Sequence, residues 1–73
     1  MNTKRVIITT TGGLAFGGTT DFIGCSTICI NVPSLNAMAL TKLYELDATA
    51  TMCSDHWRIQ INKKFIEKIE FLD

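Results

Sequence analysis

Residues 9–20 read Thr9-Thr10-Thr11-Gly12-Gly13-Leu14-Ala15-Phe16-Gly17-Gly18-Thr19-Thr20, a stretch with no charged side chain. It holds four of the five glycines in the chain, as two pairs that flank Leu14-Ala15-Phe16. Glycine admits positive φ and lets one backbone approach another closely, so the stretch reads as a hairpin with unusual backbone geometry. Before it, Arg5 to Thr11 alternates Val6, Ile8 and Thr10 against Ile7, Thr9 and Thr11, the period of a strand. Gly12-Gly13 is then a two-residue turn. Leu14 to Phe22 is the returning strand, and Gly17-Gly18 is expected to form a bulge or sharp bend that helps the sheet to curl.

Further along, Gly24 breaks the chain and Cys25 to Val32 reads as a third strand, with Ile28, Ile30 and Val32 on one face. Pro33 ends it. Ser34 is placed to cap a helix that runs to Leu46, with Leu35, Met38, Ala39, Leu43 and Leu46 at helical spacing. From Ala48 to Cys53 the period returns to two, and Ser54-Asp55 is a turn. Trp57, Ile59 and Ile61 alternate with Arg58, Gln60 and Asn62, and Asn62-Lys63-Lys64 is read as a hairpin turn into Phe65 to Leu72. That last segment is assigned to strand, because lysines directly after Asn62 oppose the dipole of a helix starting there. The fold expected is α+β and mostly β: one domain over residues 1–73, with a strongly bent antiparallel sheet or small barrel of five to six strands and one helix near 34–46.

Composition bounds the function. A domain of 73 residues buries about 60% of its unfolded surface. With 47% hydrophobic and 19% charged residues, it has more apolar side chains than so small an interior holds, which points to a homo-oligomer. Seven basic residues balance seven acidic ones, so no global field favours nucleic acid or an anionic membrane. The charges are segregated: Asp21 alone lies between Val6 and Thr41, whereas 42–73 holds six acids and five bases. Three cysteines make no secreted disulfide framework, and the expected compartment is cytoplasmic. Lys4-Arg5 before Val6-Ile7-Ile8 makes no signal peptide, since Thr9 to Gly13 interrupts the apolar run, and no run approaches the ~20 residues of a membrane span.

Two segments resemble the Sm and Hfq-like family of small barrels. Val6-x-Ile8 with Gly13-x4-Gly18 and Asp21-Phe22 resembles its first motif, and Ile61 to Glu70 is similar to its closing pair of strands. Together they cover about half the chain. The resemblance implies a ring-forming barrel and, as one reading, an RNA-binding ring. The chain departs from the family in three places: its helix falls between the motifs instead of before them, the aromatic-then-acid order is inverted at Asp21-Phe22, and Asn62-Lys63-Lys64 replaces the arginine-glycine or lysine-histidine signature. The missing residues are those that bind RNA in the family.

Gly12-x4-Gly17-Gly18-Thr19 has glycine where a phosphate-binding P-loop has lysine, and no helix follows it, so NTPase chemistry is excluded. Glycine N–H groups and threonine hydroxyls still suit a phosphate, ribose or base. The expected contacts are Thr10, Thr11, Gly12, Gly13, Gly17, Gly18, Thr19, Thr20, Asp21 and Arg58, weighed against a purely structural hairpin rich in threonine. Cys25-x3-Cys29 and Cys53-x2-His56 are soft metal ligands, but Cys25 and Cys29 on one strand lie ~13 Å apart, too far for one ion. No metal or cofactor is expected, and the cysteines read as buried thiols. His56 beside Asp55 reads as a turn histidine with no nucleophile near it, Trp57 and Tyr44 as core, and Lys63 and Lys64 as a solvated turn.

The function expected is a non-enzymatic, oligomeric binding protein that holds a small nucleotide-like or polar ligand on the uncharged hairpin. Small phage-encoded proteins that sequester nucleotide signals share this size and character, though no motif. The alternatives are the Sm-like ring, which takes short RNA, and a protein–protein inhibitor or adaptor that presents an apolar face or sheet edge.

Overall fold

The structure, a computed structural model, describes residues 3–72, with the side chains of residues 21 and 22 outside the description. In chain order the elements are β1 (Lys4–Thr10), β2 (Ala15–Ile23), β3 (Thr27–Val32), α1 (Ala37–Glu45), β4 (Thr49–Met52), β5 (Trp57–Asn62), a 3-10 turn (Lys63–Phe65) and β6 (Ile66–Phe71). The six strands form one antiparallel sheet in the order β4-β5-β3-β2-β1-β6. This is the α+β, mostly β architecture expected. The sheet is not closed into a barrel, because β4 and β6 stand at its two edges and do not pair with each other.

The alternation read from β1 holds: Val6, Ile8 and Thr10 are buried and Arg5 is exposed. Val6 and Ile8 join Ile28, Ile30 and Val32 of β3, Ile59 and Ile61 of β5, and Leu43 of α1 in one core. Because the strand period is two, the residues between them, such as Thr19, Asn31 and Arg58, fall on the opposite face.

The β1–β2 turn differs from the two-residue form. Thr9 pairs with Ala15, the Thr10 N–H donates to the Leu14 carbonyl at 2.8 Å, and the Gly13 N–H donates to the Thr10 carbonyl at 3.1 Å. Thr11, Gly12 and Gly13 thus make a three-residue turn. A two-residue primed turn of type I′ requires positive φ at both central residues, and in this pair only Gly13, at φ 85°, adopts it.

Nor do Gly17 and Gly18 form the bulge. They pair in unbroken register with Ile7 and Val6 of β1, and the irregularity lies on the β3 side, between Thr19 and Phe22. What Gly18 supplies is close approach: a Cβ there would overlap the Asn31 carbonyl oxygen and stand 2.9 Å from Val32 Cγ1.

In α1 the cap is Asn36 and not Ser34, since the Asn36 Oδ1 accepts the Ala39 N–H at 2.8 Å and residues 33–36 remain outside the helix. At the other end Asp47, at φ 57°, sends its N–H to the Tyr44 carbonyl at 3.1 Å, and the Ala48 N–H reaches the Leu43 carbonyl at 3.0 Å. Those two bonds are a Schellman motif with aspartate in the left-handed position usually given to glycine. Leu43 is buried, while Tyr44 is 58% exposed, against the reading of it as core. Leucine at 43 faces the sheet and the next residue turns about 100° away from it.

The strand assignment for the last segment is correct, but its partner is not β5. After β5 the Asn62 side chain accepts the Lys64 N–H at 3.0 Å and starts the 3-10 turn. The Lys63 N–H then donates to the Ser26 carbonyl and the Phe65 carbonyl accepts the Thr11 N–H, each at 2.8 Å. The turn is fastened first beside the start of β3 and then beside the β1–β2 turn, so it crosses the end of the sheet. β6 arrives next to β1, with Ile69 opposite Ile8 and Phe71 opposite Val6.

Candidate functional site

The ten expected contact residues are divided by the fold. Thr10 and Thr20 belong to the interior, at 0% and 2% exposure. The Thr10 hydroxyl donates to the Leu14 carbonyl at 3.2 Å, and the Thr20 hydroxyl donates to the Cys29 carbonyl. Both hydroxyl protons are given to backbone carbonyls inside the fold, where they hold the hairpin and the β2–β3 irregularity. Thr11, Gly12 and Gly13 are exposed at the turn. Gly17 is exposed opposite Ile7, and the side chain of Asp21 lies outside the described residues.

Thr19 and Arg58 are brought together by register. Thr51 of β4 lies opposite Arg58 of β5, Arg58 opposite Asn31 of β3, Asn31 opposite Thr19 of β2, and Thr19 opposite Arg5 of β1. Directly opposed residues of antiparallel strands share a face at about 4.5–5.5 Å between Cβ atoms, so this is a polar row that crosses five strands. Within it Thr19, Asn31 and Arg58 are each half-buried. Among the described residues their side chains make no hydrogen bond or ion pair with the rest of the chain, in contrast to Thr10 and Thr20.

Beside this row is a hollow of about 450 Å³ lined by Gly18, Thr19, Asn31, Val32, Pro33, Asp55 and His56. The β4–β5 turn puts the last pair there: the Cys53 N–H donates to the His56 carbonyl at 2.8 Å, leaving Ser54 and Asp55 as a two-residue turn. The Nδ1 of His56 lies 2.7 Å from Oδ1 of Asp55. An ionised carboxylate only accepts, so the proton of this contact sits on Nδ1 and Nε2 has no partner within the described chain. The hydrogen bond from His56, and then its charge, hold the Asp55 carboxyl below the usual aspartate value. The site therefore combines a guanidinium and two uncharged hydrogen-bonding side chains with a carboxylate–imidazole pair.

The cysteines do not assemble. Cys29 is buried in β3, Cys25 is exposed in the β2–β3 turn, against its reading as a buried thiol, and Cys53 is half-buried. No group of three or more metal-binding side chains occurs among the described residues. Likewise none of the described helices is long and apolar enough to cross a membrane.

Asn31, Asp55 and His56 are the residues absent from the expected contacts, the last two being read from the sequence as part of a turn. Asn31 carried a signal, as a polar residue on the non-core phase of an otherwise apolar strand. Its place between Thr19 and Arg58 depends on the β2–β3 irregularity, which nothing in the local sequence locates. Comparison of the chain with protein-family models, with curated proteins and with solved structures returns no match.

Proposed function

We propose that this protein is a non-enzymatic binding module for a small nucleotide-like ligand, seated on the row Thr19–Asn31–Arg58 and in the hollow closed by Asp55 and His56. The observation that carries the reading is the set of three adjacent, half-buried polar side chains with no partner in the described chain. None of their polar atoms is buried without a partner, so they stand open to a ligand, and a guanidinium among them selects an anion. Asp55, and the Nε2 atom of His56 when the imidazole is neutral, select the opposite chemistry, a hydrogen-bond donor such as a ribose hydroxyl or an exocyclic amine. A nucleotide-like molecule carries both kinds of group. Arg58 and Thr19 take the phosphate, Asn31 bridges, and the Asp55–His56 pair takes the donor. Gly18, lacking a side chain, keeps the floor low. His56 is bonded to Asp55 and not to the Thr19 hydroxyl that shares the lining, so no described side chain is paired with it as an activated nucleophile and the reading is one of holding.

Assembly of more than one copy belongs to the same reading. Ile23, Met52, Phe71 and Leu72 are large apolar side chains at 41–67% exposure, and association would cover some of them. The test is a panel of cyclic and ADP-ribose-type nucleotides, with inorganic phosphate alongside. The thermal midpoint should rise with at least one nucleotide, and Arg58→Gln should abolish the rise. A monomer whose midpoint none of them moves would refute the proposal.

A second reading, the Sm-like RNA-binding ring, is favoured by the return of β6 to the side of β1 after the turn that bears Lys63 and Lys64. It requires salt-sensitive binding of short uridine- or adenine-rich RNA, weakened by Lys63→Ala with Lys64→Ala.

A further inference from the structure

A second and larger cleft, of about 550 Å³, lies between the β1–β2 turn and the first half of α1. Its volume is in the range of small-molecule sites, which run from roughly 300 to 1,000 Å³. The apolar part of its lining is Leu14, Phe16, Leu35 and Met38, with the small side chains of Ala15 and Ala39. The first three are half-buried and pack against the core, which fixes them, whereas Met38 is 67% exposed. A thioether on an unbranched chain adapts to whatever covers it. Gly13, whose positive φ shapes the turn, has open space where a Cβ would stand and leaves the rim clear.

One formal charge lines this cleft, that of Lys42. Lys42 is half-buried and makes no ion pair with any described residue. Glu45, one helical turn further on, shares a smaller adjoining crevice with Lys42 and is not bonded to it. The other polar side chains of the lining are uncharged: Asn36 is committed to the Ala39 N–H, and Ser34 lies at the chain's entry to the helix. A fixed apolar floor, an adaptable apolar wall and one unpaired ammonium complement a molecule with an apolar body and a single anionic end.

We propose that the cleft between the β1–β2 turn and α1 binds an amphipathic monoanion, a carboxylate with an aliphatic or aromatic body, with Lys42 receiving the carboxylate and Leu14, Phe16, Leu35 and Met38 the body. This site is separate from the polar row and does not depend on what binds there. Its lining shares no residue with the hollow beside Arg58.

The experiment titrates the 15N-labelled full chain with octanoate and with octanamide, its neutral counterpart of the same length, following amide shifts. Octanoate should move Leu14, Phe16, Leu35 and Met38 and leave Asn31 and Arg58 in place. Octanamide should bind the same residues about tenfold more weakly, the difference expected of one charge-assisted hydrogen bond. Lys42→Gln should erase the preference for octanoate while leaving the octanamide affinity unchanged, which also shows that the variant is folded. Ala39→Phe, which fills the cleft, should weaken both, and Arg58→Gln should weaken neither. Equal binding of the two probes, shifts that fall outside the cleft, or no shifts at about 10 mM probe would overturn the proposal.

Discussion

Asn31 of β3 lies directly opposite Arg58 of β5 on one side and Thr19 of β2 on the other. That placement joins a hydroxyl, an amide and a guanidinium that the sequence holds 12 to 39 positions apart. It rests on the close approach of β2 and β3 at Gly18. Gly18→Ala should therefore destabilise the protein by about 1–3 kcal/mol in urea denaturation, since the Asn31 carbonyl is backbone and cannot step aside. Gly17→Ala is the matched control. Its Cβ would meet nothing nearer than 3.7 Å, and stability should change by less than about 1 kcal/mol.

Replacing threonine hydroxyls one at a time should separate structure from binding. Thr20→Val removes the donor to the Cys29 carbonyl inside the fold and should cost about 1–2 kcal/mol of stability. Thr19→Val, on the polar row, should leave stability within about 0.5 kcal/mol and weaken ligand binding. Equal losses of stability in the two variants would contradict the division drawn between them.

Asp47 in the left-handed position after α1 predicts a stabilising substitution. Asp47→Gly should raise the unfolding free energy by about 0.5–1 kcal/mol, because glycine adopts that conformation without the steric cost borne by other residues. Asp47→Val should lower it. Denaturation midpoints of the two variants against the parent test the sign.

The Asp55–His56 contact predicts a pH effect of definite direction. The folded carboxyl titrates below its usual value, so whatever the pair contributes is present above the unfolded aspartate pKa and is lost as pH falls through the lower, folded one. Carbon-detected NMR titration should place the Asp55 midpoint below that of an unperturbed aspartate, and His56→Gln should move it back up. A normal midpoint in the parent protein would show that the contact does not persist in solution.

Much of the fold was legible because local periodicity reveals it: the alternations of β1 and β5 follow from Val6, Ile8, Ile59 and Ile61, and the helix from Met38, Ala39 and Leu43. What was not legible was non-local. The path of the 3-10 turn depends on bonds to Ser26 and Thr11, so Asn62-Lys63-Lys64 resembled a hairpin turn although β6 belongs beside β1. The glycine pairs marked unusual backbone geometry correctly but not its form, since a glycine accommodates a bulge, a turn or a close approach equally well. For the candidate site, the sequence pointed to Thr19, Gly18 and Arg58. Only the register between strands added Asn31, and only burial removed Thr10 and Thr20.

Native mass spectrometry of the protein purified from cells, compared with Arg58→Gln prepared in the same way, tests the central proposal most directly. The account predicts more than one copy per particle, a retained phosphate-bearing, nucleotide-like ligand that is chemically unaltered after incubation, and its loss from Arg58→Gln, since removing a charged hydrogen-bond donor costs about 1.5–3 kcal/mol. A ligand-free parent that also fails to respond to the nucleotide panel, or a ligand held equally well without Arg58, would contradict it.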